Sequence, residues 1–558
     1  MTGPTSASRP AAPSAAGWWR RAVVYQVYIR SFADANGDGI GDIARIRSRL
    51  SYLHDLGIDA LWITPWYPSP MADGGYDVAD YRGIDPRLGS LADADQLLRE
   101  AHENGIRVLI DLVPNHTSWA HPWFHEAVAA GPWSPARARY IFRDGRGPDG
   151  DEPPNNWQSA FGSSAWTRVV EPNGRPEQWY LHLFAPEQPD LDWENPEVRA
   201  EFESILRFWF DRGFDGVRID VADALVKDPA LPDMPPELSG AGSFPGEHPH
   251  WDRPGVHEIH RSWRRLADGY EPRRVLMGEI GVENPERLSR YLRPTQLHAA
   301  FNFPYMATPW VASALRNVID ATLEAHGRVG ATPTWVLSNH DATRHVTRLG
   351  RPYTGVRRRE LDDTLPVDVA LGTRRARAAA LLMLALPGSA YLYQGEELGL
   401  WEVEDLPEEM LEDPIWERSG RTVRGRDGCR VPIPWEGDAP PFGFGPPGST
   451  PWLPQPAAWR SVTVETETSD PASMLELYRA ALTLRREHPG LAGEELSWLD
   501  SPAGTLLFGR ADRFRCAVNL SGAPLALPGS RTTLLATEAV VDDCLAPDAA
   551  IWFVAARS

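Results

Sequence analysis

Three acids stand at or just past the ends of short segments: Asp220 in Gly216-Val217-Arg218-Ile219-Asp220, Glu279 in Val275-Leu276-Met277-Gly278-Glu279, and Asp341 in Ser338-Asn339-His340-Asp341. Acids so placed suit glycosyl transfer. One carboxylate attacks an anomeric carbon, a neighbouring carboxylic acid protonates the leaving oxygen, and water or another sugar completes the exchange, with retention when the carboxyls are about 5–5.5 Å apart. Asp220 suits the nucleophile, because Arg218 lies two residues back on the same strand face and would keep the carboxylate ionised and oriented. Taken alone, that stretch equally allows an Arg/Asp pair that only bridges a strand to its neighbour. Glu279, among the negative charges of Asp220 and Asp341 and with no basic residue beside it in sequence, suits the acid and then the base. Asp341 would clamp sugar hydroxyls and favour a distorted ring. His340 and His116 offer hydrogen bonds to the same ring, although a lone histidine is more often structural.

Such acids work only if a scaffold gathers them. Strand-like runs begin at Val23, Ala60, Arg107, Gly216, Arg274, Ala299, Thr334 and Ser389, separated mostly by segments of helix length such as Ile43 to Leu56, Leu91 to Asn104 and Pro196 to Arg212. Eight parallel strands in this rhythm specify an α/β fold, a closed (β/α)8 TIM barrel, whose active face is the carboxyl ends of the strands. The rhythm breaks at residues 115–187, rich in Trp, Pro, Gly and Asn, which reads as a small inserted domain in the third βα loop. The barrel then occupies 18–114 and 188–490, with an irregular excursion over about 396–469 off the eighth strand. The acidic run Glu402, Glu404, Asp405, Glu408, Glu409, Glu412, Asp413 within it reads as solvated surface. Residues 491–558 read as a C-terminal antiparallel β domain.

The stretch Asp34-Ala35-Asn36-Gly37-Asp38-Gly39-Ile40-Gly41-Asp42 places oxygen donors at alternate positions. Asp34, Asn36, Asp38, the Ile40 carbonyl and Asp42 suit a structural calcium or magnesium ion, although the twelfth position is Arg45 where an EF-hand has its bidentate Glu. An Asx/Gly turn capping the next helix is the alternative. No catalytic cofactor is expected. The net charge of −20 over 558 residues opposes nucleic acid and anionic membrane surfaces and points to a neutral substrate. No apolar run approaches the roughly 20 residues of a membrane span. Residues 1–17, Ala/Pro/Ser-rich without an apolar core, read as a disordered tail and not a signal peptide, so a cytoplasmic location is expected. Cys429, Cys516 and Cys544 are far apart and lack CxxC spacing, which fits a reducing compartment, with a C-terminal pair still able to bridge.

Four motifs in order, Asp111-Leu-Val-Pro-Asn-His116, Gly216-Val-Arg-Ile-Asp220, Gly278-Glu279 and Ser338-Asn-His-Asp341, together resemble glycoside hydrolase family thirteen, the α-amylase family. The resemblance implies Asp220 as nucleophile, Glu279 as acid/base and Asp341 as transition-state stabiliser, and makes the insertion domain B and the ending domain C. Gln188-Pro-Asp-Leu-Asp-Trp-Glu-Asn195, Asp73-Gly-Gly-Tyr76 and Gly425-Arg426-Asp427-Gly428 are similar to the oligo-1,6-glucosidase and α-glucosidase group, with Asp192 where that group has Asn. In that group the Asp and Arg, here Asp73 and Arg426, pair across the pocket and grip a terminal glucose. Tyr76 would stack beneath it, with Phe184 and Gln188 along the wall. The resemblance thus implies a retaining, exo-acting enzyme that releases α-glucose from the non-reducing end of neutral di- or oligosaccharide α-glucosides. It also strengthens the cation reading of the Asp34 to Asp42 loop.

Val221 after the nucleophile accompanies α-1,6 cleavage in the group, whereas Val226-Lys227-Asp228-Pro229 looks like a subset with α-1,4 activity. Asp223-Ala224 departs from the His-Gly of that subset, on the acceptor side. A transglucosidase or glucosyl isomerase of trehalose-synthase type is the alternative. A non-catalytic interaction subunit is opposed by the presence of all three carboxylates.

Overall fold

The computed structural model describes residues 17–170, 176–235, 248–355, 365–468 and 470–556; the expected tail lies outside the described residues apart from Gly17. Eight parallel strands form one nearly closed sheet: Val23–Val27, Ala60–Ile63, Arg107–Leu112, Gly216–Ile219, Val275–Gly278, Ala299–Ala300, Thr334–Val336 and Ser389–Tyr393. The first six pair in chain order, the seventh pairs with the eighth and the eighth with the first, which leaves the sixth and seventh as the two edges of the sheet. Both faces are buried, which is why the strands read as continuous apolar runs. Alternation sorts the side chains. Val24, Trp62, Leu109, Met277, Val336 and Tyr391 fill the barrel interior, while Tyr25, Ile63, Ile110, Val217, Leu276 and Leu392 pack outward against the helices.

Local chemistry sets the helices. Ser90 and Asp93 form a reciprocal capping box at the start of Leu91–Glu103, and Asn195 caps Pro196–Asp211 with a proline in the first turn. The single helix expected over 43–56 is two, Ile43–Ser48 and Leu50–Leu56, because Arg49 leaves helical geometry between them. Between the third and fourth barrel strands, a helix Pro122–Ala130 precedes a three-stranded antiparallel sheet of Phe142–Arg143, Pro176–Leu181 and Trp166–Val170. Beyond the helix Met474–Glu487, five antiparallel strands make the C-terminal sheet, and its last strand, Ala549–Ala555, lays Trp552 against the barrel helix Val369–Ala385 through a bond to the Leu381 carbonyl (3.0 Å). No helix among the described residues is long and apolar enough to cross a membrane.

Two expectations are corrected. The acidic run is not uniformly solvated: Glu402 and Asp413 are buried, Glu404 pairs with Arg351, and Glu412 with Arg30. Cys516 and Cys544 do not bridge; all three cysteines are free thiols. The oxygens of the 34–42 loop take backbone N–H donors: Asp34 from Asn36, Gly37 and Gly39, Asp38 from Ile40, and Asp42 from Ala35 and Arg45. That is Asx-turn geometry. Among the described residues no three His, Cys, Asp or Glu side chains form a group able to hold a metal ion, so a cation there would also need the Asn36 side chain and the Ile40 carbonyl.

Candidate active site

Sheet register builds the site. Asp111 pairs laterally with Arg218, and Ile219 with Gly278, so Asp220 and Glu279 each stand one residue past a paired position on adjacent strands. Neighbouring strands run about 4.8 Å apart, and Asp111, Arg218, Asp220 and Glu279 have the inward parity. Gly216 opens the fourth strand because nothing larger fits: an added Cβ would lie 2.2 Å from the Val275 carbonyl oxygen.

Arg218, with 1% of its side chain exposed, joins three carboxylates. Its Nη1 donates to Asp111 (2.9 Å) and to Asp220 Oδ1 (2.8 Å), and its Nη2 to Glu279 Oε2 (2.5 Å). Glu279 therefore has a basic partner that its sequence neighbours do not supply. Asp111, fixed also by Trp62 Nε1 (3.0 Å) and the Tyr76 hydroxyl (2.9 Å), is pushed up to about 6 by burial against the pull of Arg218. Burial likewise raises Asp220, with Arg218 opposing and the charges of Glu279, Asp111 and Asp341 reinforcing the rise. One guanidinium cannot neutralise three carboxylates, and the surplus favours keeping a proton within the set, which acid/base chemistry needs.

A second guanidinium closes the other side. Arg426 bonds Asp73 Oδ1 (2.6 Å), Asp341 Oδ1 (2.9 Å) and Asp413 Oδ2 (2.6 Å). Arg430 adds a bond to Asp341 Oδ1 (3.0 Å). Burial works against ionisation of Asp341, but the guanidinium groups of Arg426 and Arg430 outweigh it and hold the carboxyl well below the usual carboxylate range. Burial also drives His340 well below the imidazole range, so the ring is neutral and the two arginines carry the charge. Gln26 Nε2 donates to His340 Nδ1 (2.7 Å), which leaves the proton on Nε2, 3.4 Å from Asp341. The His340 ring lies between Tyr76 and Tyr28, stacked on both. Gly74 lets the Asp73 loop approach this stack: its φ is +58°, and a Cβ would meet the Tyr28 hydroxyl at 2.7 Å.

Of the residues singled out in the sequence, Asp73, Tyr76, Arg218, Asp220, Glu279, His340, Asp341 and Arg426 converge. His116 and Gln188 stand behind them. Gln188 is fully buried and does not line the wall; its amide nitrogen reaches Asp73 Oδ2 (3.2 Å) and His116 Nε2 (3.1 Å). His116, lowered to about 4 by burial, is 3.0 Å from the Tyr76 carbonyl through Nε2. Phe184 packs on His116 and lines, with Glu279, Val221 and Asp223, a cavity of about 720 Å³. Asp111, Asp413 and Arg430 were not singled out. Asp111 stood in a quoted motif and Asp413 in the acidic run; the sequence carries no signal for Arg430 beyond its place four residues after Arg426.

Two carboxyl groups on one guanidinium, at the carboxyl mouth of a (β/α)8 barrel, can split a glycosidic bond, and glycoside hydrolase is the class of enzyme that this fold and site define. A family model described as alpha amylase, catalytic domain, matches residues 26–494. The chain is 38% identical to a probable α-glucosidase of Rhizobium meliloti (strain 1021), covering 95% of this chain and 94% of the relative. It is 36% identical to an oligo-1,6-glucosidase of Parageobacillus thermoglucosidasius and 36% identical to a trehalose-6-phosphate hydrolase of Escherichia coli (strain K12), with 84% of each chain covered in both cases. Among solved structures, the α-glucosyl transfer enzyme XgtA superposes with a TM-score of 0.81 at 37% identity, over 96% of this chain and 99% of that one. The trehalulose synthase MutB of Pseudomonas mesoacidophila MX-45 does so with a TM-score of 0.81 at 30% identity, over 98% and 100%. The chain belongs to the α-amylase family, glycoside hydrolase family thirteen, in its oligo-1,6-glucosidase and α-glucosidase group. Members of this family need no catalytic cofactor.

Proposed function

We propose that this enzyme is a retaining, exo-acting α-glucosidase that takes one glucose from the non-reducing end of short malto- or isomalto-oligosaccharides. The observation that supports the reading is the Asp73–Arg426 ion pair, with Asp341 and Asp413 on the same guanidinium, which we take as the closed end of the site. A terminal sugar fits against a closed end; an internal one needs an open cleft. Asp220 attacks C1 as Glu279 gives its proton to the leaving oxygen, so the C1–O bond breaks and a β-glucosyl ester forms on Asp220. Water then attacks C1 from the vacated side, loses a proton to Glu279, and frees Asp220 and α-glucose. Asp220 and Glu279 take the two Nη atoms of one guanidinium, which supports the close spacing of a retaining enzyme, where inversion needs a wider gap of roughly 6.5–9.5 Å for a water. Asp341, kept ionised by Arg426 and Arg430, holds ring hydroxyls through both steps.

A second reading, transfer of glucose to a sugar, rests on the cavity of about 720 Å³ beyond Glu279, which has room for a retained leaving group. A phosphorylated leaving group fits poorly: Asp223, Asp252, Glu279 and Glu283 line that cavity, and the Arg287 guanidinium in it is spent on Asp252 (2.5 Å). The deciding experiment incubates the enzyme with maltose, isomaltose, sucrose, trehalose and trehalose 6-phosphate, and quantifies released glucose and new disaccharides. Glucose from maltose or isomaltose supports hydrolysis. Disaccharide products in excess of glucose would replace hydrolysis with transfer, and cleavage confined to the phosphorylated substrate would refute both.

The 34–42 loop holds a structural calcium or magnesium ion in this reading, remote from the chemistry. Burial and the charges of Asp34 and Asp38 raise Asp42, a crowding that a cation relieves, and Asp34 Oδ2, Asp38 Oδ1 and both Asp42 oxygens, each bonded to one N–H, keep a second lone pair. Elemental analysis of dialysed enzyme should find about one equivalent of metal, and chelation should lower Tm. Metal-free enzyme of unchanged Tm would refute the ion.

A further inference from the structure

Asp223, which stands where the α-1,4 subset has His, is 3% exposed, and its carboxyl bonds the backbone beside the acid/base residue, not the carboxylate set. Its place is structural and specific. Three hydrogen bonds tie the segment after the fourth strand to the segment after the fifth: Val221 N–H to Glu279 Oε2 (3.2 Å), Ala222 N–H to the Glu279 carbonyl (2.9 Å), and Gly281 N–H to Asp223 Oδ2 (3.0 Å). Glu279 is thus held on its carboxyl and its carbonyl, and the chain two residues on is pinned by a side chain. Val221 makes the turn at φ 43°, a left-handed conformation that a β-branched residue keeps only when its surroundings impose it. On its other side the Asp223 carbonyl accepts from Asp252 N–H (2.9 Å), and Asp252 is gripped by Arg287 Nε (2.5 Å) and the Tyr291 hydroxyl (2.5 Å). Asp223 therefore joins three of the segments that wall the cavity beside Glu279. A carboxylate is the stronger acceptor for such an N–H, and burial, with the charges of Asp252 and Glu279, raises this one to about 7.

We propose that Asp223 is a positioning residue for the acid/base step, holding Gly281 so that Glu279 stays aimed at the leaving-group oxygen. The proposal rests on the glucosidase reading and adds a residue outside the carboxylate set. A leaving group that needs no proton separates the two effects. Nitrophenolate departs unprotonated, whereas the glucose released from maltose must be protonated by Glu279, so loss of aim harms maltose more than 4-nitrophenyl α-glucoside. Asp223→Ala is expected to lower kcat/KM on maltose about 100-fold, the scale of a displacement of about 1 Å, and on the aryl glucoside less than about threefold. Asp223→Asn, whose amide oxygen still accepts from Gly281, should recover most of the loss. Circular dichroism and Tm check folding, and Asp223→Ser replaces the alanine variant if that one does not fold. Equal losses on both substrates, unchanged kinetics, or an asparagine variant as poor as alanine would overturn the proposal while leaving the glucosidase reading intact. Wild-type enzyme inert on both substrates would overturn the reading itself.

Discussion

Arg426→Leu removes the guanidinium that Asp73, Asp341 and Asp413 share, and it separates two roles of one side chain. Asp413 has 0% of its side chain exposed, and although burial opposes it, Arg426 and then Arg430 hold its carboxyl down at about 2. Without Arg426 a buried carboxylate loses its partner, at a cost of about 3–5 kcal/mol. At the site, losing charge-assisted bonds to Asp73 and Asp341 costs about 1.5–3 kcal/mol. At about 1.4 kcal/mol per tenfold, that is roughly a 10- to 150-fold fall in kcat/KM. Adding Asp413→Asn removes the stranded charge, so the double variant should regain most of the stability and none of the activity. Urea denaturation gives the first quantity and initial rates on maltose the second. Product analysis on maltoheptaose adds a third test, because an opened end should permit cuts away from the chain terminus. A stable double variant within threefold of wild-type kcat/KM would refute the role given to the Asp73–Arg426 pair.

Asp220→Asn should leave the circular dichroism spectrum unchanged and abolish turnover, and proton NMR of the wild-type reaction should show the α anomer of glucose first. Near-normal turnover in the first or initial β-glucose in the second contradicts the retaining mechanism. Because burial and the neighbouring carboxylates raise Asp220, its carboxylate form is lost as pH falls through a value above the ordinary one of 3.8, so the acid limb of kcat/KM should lie above that value. A limb at or below 3.8 would show that Arg218 prevails over burial. Glu467, 6% exposed, is raised by burial from 4.5 to about 8. Below 4.5 both states hold its proton; between 4.5 and about 8 only the native state does, so this group makes stability fall as pH rises, by about 1.4 kcal/mol per unit. Glu467→Gln should therefore raise stability at pH 8 and leave it unchanged at pH 4, as measured by denaturant titration at each pH; equal effects at both would refute the burial argument.

The barrel was legible because strands buried on both faces must be continuously apolar and their connections must be helices. The acids at strand ends followed from that rhythm. Asp413 was misread because it stands among exposed acids, and local composition reports the average of a segment, while burial belongs to single residues brought under Arg426 by the fold. Gln188 was misplaced for a related reason: its motif says that it belongs to the site, but whether an amide faces sugar or holds Asp73 from behind depends on what the fold packs around it. The break at Arg49 had no sequence signal that outweighed the apolar spacing on either side of it.

The sequence by itself determined the eight-strand rhythm, the order of the four motifs and which acids stand at strand ends, because these depend on periodicity and on neighbours within a few residues. The sequence already paired Arg218 with Asp220 and, by resemblance, Arg426 with Asp73; only the tertiary structure added Asp111 and Glu279 to the first arginine and Asp341 and Asp413 to the second. The two full sets of pairings join residues up to 353 positions apart in the chain, and they exist because parallel register sets strand ends side by side and burial leaves each carboxylate no solvent to turn to.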